Sequence, residues 1–212
     1  MAAELRQSRE ERAGPVALAI KGFNRTSLMS VAGALVVARL SRRRARMPGE
    51  ADLLLLHETG MRFLLPRTGC YRDFDFHIED EGRIVFRGAP CRDLPRLMRR
   101  FFRELASLWK SGDALDAAVF ALWWLAWIHP FEDGNGRVSV AFAYACFCLR
   151  LGARLPGLDR TFDSITADAA RYRAFIEASD HARASAMRGR PDLLPLKKFL
   201  DGLLAEDLAA AG

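Results

Sequence analysis

Hydrophobic spacing along the chain is helical almost everywhere and strand-like in one place. In residues 93–110 the apolar positions are Leu94, Leu97, Met98, Phe101, Phe102, Leu105, Leu108 and Trp109. Steps of three and four put them on one face of a helix whose other face meets solvent. Residues 114–128 (ALDAAVFALWWLAWI) and 138–149 (VSVAFAYACFCL) differ in being apolar on every side. Helices of that kind are surrounded by other helices. Residues 15 to about 40 are predicted helical, with Gly22 and Gly33 as weak points. A short helix is expected in ADLLLLHETGMRFLL (51–65), ending before Pro66, and two amphipathic segments close the chain at roughly 163–179 and 192–209. Only near residue 75 does the period change. Phe74, Phe76 and Ile78 alternate with Asp73, Asp75 and His77, which is a strand period. EDEG then turns, and RIVFR returns as a second strand.

At 212 residues the chain is long enough for one domain with a substantial core. The net charge is +6, and only Lys21, Lys110, Lys197 and Lys198 are lysines, so arginine carries the basic balance. That balance favours polyanionic partners, nucleotides among them. The run Arg42 to Arg46 reads as a solvated connector and not as a nucleic-acid surface. Cys70, Cys91, Cys146 and Cys148 form no CxxC pair, and Cys146 and Cys148 point to different faces of a helix. All four are expected as free thiols in a reducing cytoplasm. The acid-containing N-terminus is unlike a signal peptide, and the run WWLAWI is too short to span a bilayer, so no membrane role is expected.

The two all-apolar helices are joined by the most polar stretch near them, IHPFEDGNGR (128–137). Pro130 can stop the first helix. Gly134 and Gly136 allow a tight turn and expose amides, and Asn135 to Arg137 open the second helix. A helix N-terminus offers unpaired N–H donors and partial positive charge, a ready anion site. Arg137 adds a cation with fork geometry suited to phosphate. Asp133 is a hard oxygen ligand of the kind Mg²⁺ prefers, and Mg²⁺ usually arrives with a phosphate. His129 can accept a proton near neutral pH. Phosphate cradle, metal ligand and base together describe phosphoryl or nucleotidyl transfer. Singly, each has a plainer reading: a helix-end histidine is usually a cap, and a GNG is usually a turn.

As a whole, HPFEDGNGR resembles the signature of the Fic family, HxFx(D/E)GNGR, with every specified position matched. GCYR (69–72) and the hairpin after it are similar to the family's GxYR segment and flap. DLPRLMRRFFRELASLW resembles the helix following the flap, and ADAARYRAFIEASD the stretch after the core. The resemblance covers roughly residues 50–205. It implies the all-α Fic fold, a helical bundle around a central buried helix pair with a small β-hairpin flap. It divides the chain into an N-terminal arm and helix (1–49) and a Fic domain (50–212).

By position, the resemblance makes His129 the general base that deprotonates a target hydroxyl. Asp133 would bind Mg²⁺, Gly134, Asn135 and Gly136 would form the anion hole for nucleotide phosphates, and Arg137 would clamp a phosphate. The flap, Asp75, Phe76, His77 and Ile78 with Ile84, Val85 and Phe86, would align a target segment as an added strand. The implied activity is transfer of AMP from ATP to a protein Ser, Thr or Tyr hydroxyl. Other family members transfer phosphate, UMP or phosphocholine, so the fold leaves the donor open, and a homodimer is equally left open.

Two positions depart from the family pattern. Members usually continue GNGRxxR, but Val140 stands where the second arginine holds the nucleotide's terminal phosphate. Leu122 stands where many members have a histidine. These substitutions keep a second reading alive: a Fic-fold module that binds nucleotide or peptide without turnover. Many relatives also carry an inhibitory helix with (S/T)xxxE(G/N). NRTSLMSVAGAL (24–35) has Thr26, Ser27 and Gly33, but Ala32 stands where the glutamate would be, so it reads as a packing helix or, at most, a degenerate inhibitory segment.

Overall fold

The computed structural model describes residues 15–41, 46–80, 82–155 and 157–210. The N-terminal arm and most of the basic connector, Arg42 to Ala45, lie outside the described residues, as does Glu81 of the predicted turn. The chain runs α1 (Pro15–Ser41), α2 (Glu50–Met61), β1 (His77–Asp80), β2 (Arg83–Arg87), a 3-10 turn (Cys91–Asp93), α3 (Leu94–Ser111), α4 (Ala114–Ile128), α5 (Asn135–Leu151), α6 (Leu158–Ala167), α7 (Ala169–Ala186) and α8 (Leu194–Ala210). This is the helical fold with one hairpin that the hydrophobic spacing describes.

The all-apolar segments form the central pair α4 and α5. Leu122, Phe142, Tyr144 and Cys146 are fully buried between and around them. Burial of each large side chain contributes about 1.5–3 kcal/mol. Helix α4 starts at a reciprocal cap. The Asp113 carboxylate accepts from the Asp116 amide (2.7 Å), and the Asp116 carboxylate accepts from the Asp113 amide (3.1 Å). The amphipathic α3 lays Leu94, Leu97, Met98, Phe101 and Leu105 on this pair. Phe101 stacks on Phe120 of α4 with centroids 5.6 Å apart.

Helix α1 buries Leu28, Ala32 and Val36, one position per turn. Ala32, at the position of the missing glutamate, is packed in the core. Gly60 of α2 lets α1 approach closely, since a Cβ there would fall 2.2 Å from the Leu28 side chain. Arg39 and Asp52 tie the two helices through paired 2.6 Å hydrogen bonds. The four cysteines are free. Among the described residues no helix is long and apolar enough to cross a membrane.

Three local expectations are corrected. Helix α2 ends at Met61, before the Arg62–Leu64 turn. The strand begins at His77, so Asp73 to Phe76 are not strand. Their polar groups are committed elsewhere: the Phe74 carbonyl to Arg72 (2.5 Å), and the Asp75 carboxylate to the Cys91 amide (2.7 Å). The segment at 163–179 is split between α6 and α7. Asp168 adopts an extended backbone, and its carboxylate accepts from the Arg171 amide (2.8 Å), starting a new helix.

Candidate active site

The joint between α4 and α5 places the polar motif at one end of the buried pair. His129 closes α4 in the left-handed region (φ 52°), the sole non-glycine residue with positive φ among the described residues. That conformation is uncommon for a side chain with a Cβ and marks a constrained site. Three bonds hold it. The His129 amide donates to the Leu125 carbonyl (3.0 Å), Nδ1–H donates to the Ala126 carbonyl (2.6 Å), and Arg72 Nε donates to the His129 carbonyl (2.7 Å). A carbonyl can only accept, so the proton sits on Nδ1 and the Nε2 lone pair is left for other work. Burial pushes the imidazole pKa down to about 4, aided by the Arg72 and Arg183 charges and opposed by the Ala126 carbonyl and Asp133. The ring is therefore neutral at pH 7 and able to accept a proton.

Asn135 shapes the loop. It is buried, and its side chain bonds both polar groups of Phe131: Oδ1 accepts from the Phe131 amide (2.8 Å) and Nδ2 donates to the Phe131 carbonyl (2.9 Å). With its side chain holding Phe131, the main-chain amide would be its donor to the anion hole that the resemblance implies. Gly134 takes φ 78° as N-cap of α5, and a Cβ there would meet the Met61 sulfur at 2.7 Å. Gly136 is exposed, and a Cβ there would meet nothing within 4 Å. The Gly134 amide donates to the Asp133 carboxylate (2.5 Å), so the first amides of α5, which have no partner within the helix, are the anion donors at this N-terminus. Arg137 folds back on the same N-terminus, with Nη2 3.4 Å from the Asp133 carboxylate. Its Nη1 is buried and has no hydrogen-bond partner. An orphaned guanidinium N–H beside free helix amides fits a phosphate. Asp133 is 61% exposed in its side chain. Among the described residues no three acidic, His or Cys side chains cluster to hold a metal. The exposed Asp133 carboxylate is a hard oxygen donor that could share an ion with phosphate oxygens and water.

Two further residues position this loop. His57 of α2 stacks on Phe131 with centroids 4.0 Å apart. Its Nδ1 accepts from the Gly69 amide (2.9 Å), so Nε2 carries the proton toward the Asp133 carbonyl (3.3 Å). Buried Arg72 donates to the carbonyls of His129, Phe74 and Ala89, with Ile128 at 3.4 Å. The only sequence signal for His57 was a lone histidine in LLLLHET. In sequence Arg72 stands out only as part of GCYR.

The hairpin lies over the histidine. Ile78 pairs with Phe86 and His77 with Arg87, and a bulge beside Glu79 leaves Val85 unpaired. Phe76 and Phe86 pack on the His129 ring at 5.1 and 4.7 Å. Ile84 is 40% exposed. The sheet has two strands among the described residues, so each keeps an outer edge that could pair with a third. Asp75 sits below the strand, its carboxylate engaged by Cys91. Val140 and Leu122 both lie in the core.

Residues 48–147 match the model of the Fic/DOC family. The fold recurs in a Fic family protein from Desulfovibrio desulfuricans at 22% identity and TM-score 0.59, covering 96% of this chain and 68% of that one. It recurs in Fic-1 from C. elegans at 17% identity and TM-score 0.60, covering 89% of this chain and 52% of that one. A Fic domain containing signaling protein from Bacteroides thetaiotaomicron matches at 17% identity and TM-score 0.61, covering 85% and 67%. The chain spans about half the length of the C. elegans structure. No curated protein matches the chain in sequence. Residues 48–147 thus carry the Fic/DOC family's sequence pattern, on a fold shared with Fic proteins.

Proposed function

We propose that this chain is a Fic-type transferase that moves AMP from ATP to a Ser, Thr or Tyr hydroxyl of a protein. The observation that carries the reading is the pairing of a neutral His129, its Nε2 unprotonated, with an anion cradle holding an unpartnered Arg137 N–H. His129 Nε2 takes the proton of the target hydroxyl. The hydroxyl oxygen forms a bond to the α-phosphorus as the bond to pyrophosphate breaks. The amides of α5 and the Arg137 fork carry the charge on the phosphate oxygens. Asp133 would hold Mg²⁺, which supplies charge neutralisation to the phosphates when bound. The flap edge offers main-chain groups to align the target segment. Incubation with Mg²⁺, lysate and ATP labelled at the α-phosphate should label a protein band, and His129→Ala should not.

The buried, apolar Val140 favours one alternative, a Fic-fold module that holds nucleotide or peptide without turnover. Calorimetry separates the two: tight Mg²⁺-ATP binding without labelling of any lysate protein supports the module.

A further inference from the structure

Beside the flap lies a cavity of about 220 Å³. Trp123, Trp124 and Trp127 of α4 line it, with Arg100 of α3 and with Arg183 and Met187 at the end of α7. We propose that this cavity is a specificity pocket for the target protein, taking an aromatic side chain that an acidic residue accompanies.

Size sets the class of occupant. Pockets for small molecules and cofactors usually run from about 300 Å³ upward. This one is below that range and suits a single side chain. Trp123 and Trp124 are buried at its floor, and half-buried Trp127 offers the indole face on which an aromatic ring packs edge-on or offset. Charge decides the neighbour. Arg100 covers the Trp124 ring at 5.2 Å and is neutralised by Glu104 at 2.5 Å. Arg183 has no carboxylate partner among the described residues; it stacks on Phe86 at 4.8 Å. The free guanidinium repels a basic segment and attracts an acidic one. Trp124 also carries an indole N–H buried without an acceptor.

The location ties the pocket to the target. Phe86 belongs to β2 and touches both Arg183 and His129. Arg183 therefore stands no more than about 10 Å from the imidazole, a span of three extended residues at about 3.3 Å each. A target strand laid along the flap with its hydroxyl at His129 would carry the residue four positions away, which shares the hydroxyl's face, past Arg183 toward the tryptophans. This placement rests on the proposed role of His129; the binding itself does not.

The test uses the full chain without nucleotide, titrated with peptide amides. The first has serine followed by three aspartates and phenylalanine. The second has lysines for the aspartates, and the third has alanine for the phenylalanine. Three of the four tryptophans line the pocket, so intrinsic fluorescence reports its occupation. The aspartate–phenylalanine peptide should bind at least tenfold more tightly than the other two. Arg183→Gln should abolish the charge preference, and Arg183→Glu should reverse it toward the lysine peptide. Trp127→Ala should erase the preference for phenylalanine. Circular dichroism establishes that each variant is folded, and Arg183→Gln suffices if the reversal does not fold. Equal binding of the three peptides, tighter binding of the lysine form, or a preference unchanged in Arg183→Gln would overturn the proposal. Labelling of lysate by α-labelled ATP is read separately, so failure of the transferase reading leaves the peptide result standing.

Discussion

The carbonyl of His129 accepts a 2.7 Å hydrogen bond from Arg72, a residue 57 positions earlier in the chain. That bond joins the root of the flap to the left-handed turn that presents the imidazole. Arg72 meets main-chain carbonyls rather than a carboxylate, including that of Ile128 at the C-terminal end of α4, where a cation is favoured. Arg72→Ala should therefore lower stability by about 2–4 kcal/mol, since several buried carbonyls lose a charged donor. Arg72→Lys should recover only part of it, because an ammonium cannot reproduce the planar fork. Urea unfolding of the three proteins measures both effects.

Asn135 is expected to act through the loop and not through the ligand. Asn135→Ala removes both bonds to Phe131. It should cost about 1–3 kcal/mol and weaken nucleotide binding through the displaced amides. Asn135→Asp keeps an acceptor for the Phe131 amide but sets a carboxylate against the Phe131 carbonyl, so it should rescue little. Melting temperature and ATP affinity measured together separate this from a direct ligand role, which would lower affinity with the melting temperature unchanged.

Acid should destabilise the fold in a defined window. Burial lowers the pKa of both His57 and His129 to about 4 from 6.5. The unfolded chain then binds protons first as pH falls, so the neutral histidines' contribution is complete above pH 6.5. It is lost progressively as pH falls toward 4. Melting temperature across pH 4–8 should rise through that interval and level off near 7. The slope should be shallower in His57→Gln.

Val140 is the point at which the structure revises a simple reading of the motif. Three residues after Arg137, it looks like the place for a missing phosphate clamp. It is 2% exposed and part of the core. Val140→Arg would bury an unpaired charge, so a loss of about 3–5 kcal/mol is expected, with no gain in ATP affinity. A stable Val140→Arg protein with tighter ATP binding would show that the donor site accepts the arginine after all.

Much of this was legible because it is local. The all-round apolar character of 114–128 and 138–149 placed the central pair, and the glycines of GNGR placed the turn and the helix start. What escaped depends on distant partners. Nothing near Asp73 to Phe76 announces that Arg72 and Cys91 take their polar groups, so the alternation there extends beyond the strand. Asp168 ends one helix and starts another inside an unbroken amphipathic pattern. His57 and Arg183 are ordinary surface letters in sequence, and only folding sets one against Phe131 and the other against Phe86.

The central claim is that His129 drives transfer from the α-phosphate of ATP to a protein hydroxyl. The most direct measurement compares ATP labelled at the α-phosphate with ATP labelled at the γ-phosphate, using wild type and His129→Ala on the same lysate. The expected result is a protein band labelled from the α position only, by wild type only, with the AMP found on a Ser, Thr or Tyr by peptide mass spectrometry. Label from the γ position, equal labelling by His129→Ala, or no label under saturating Mg²⁺-ATP would contradict it.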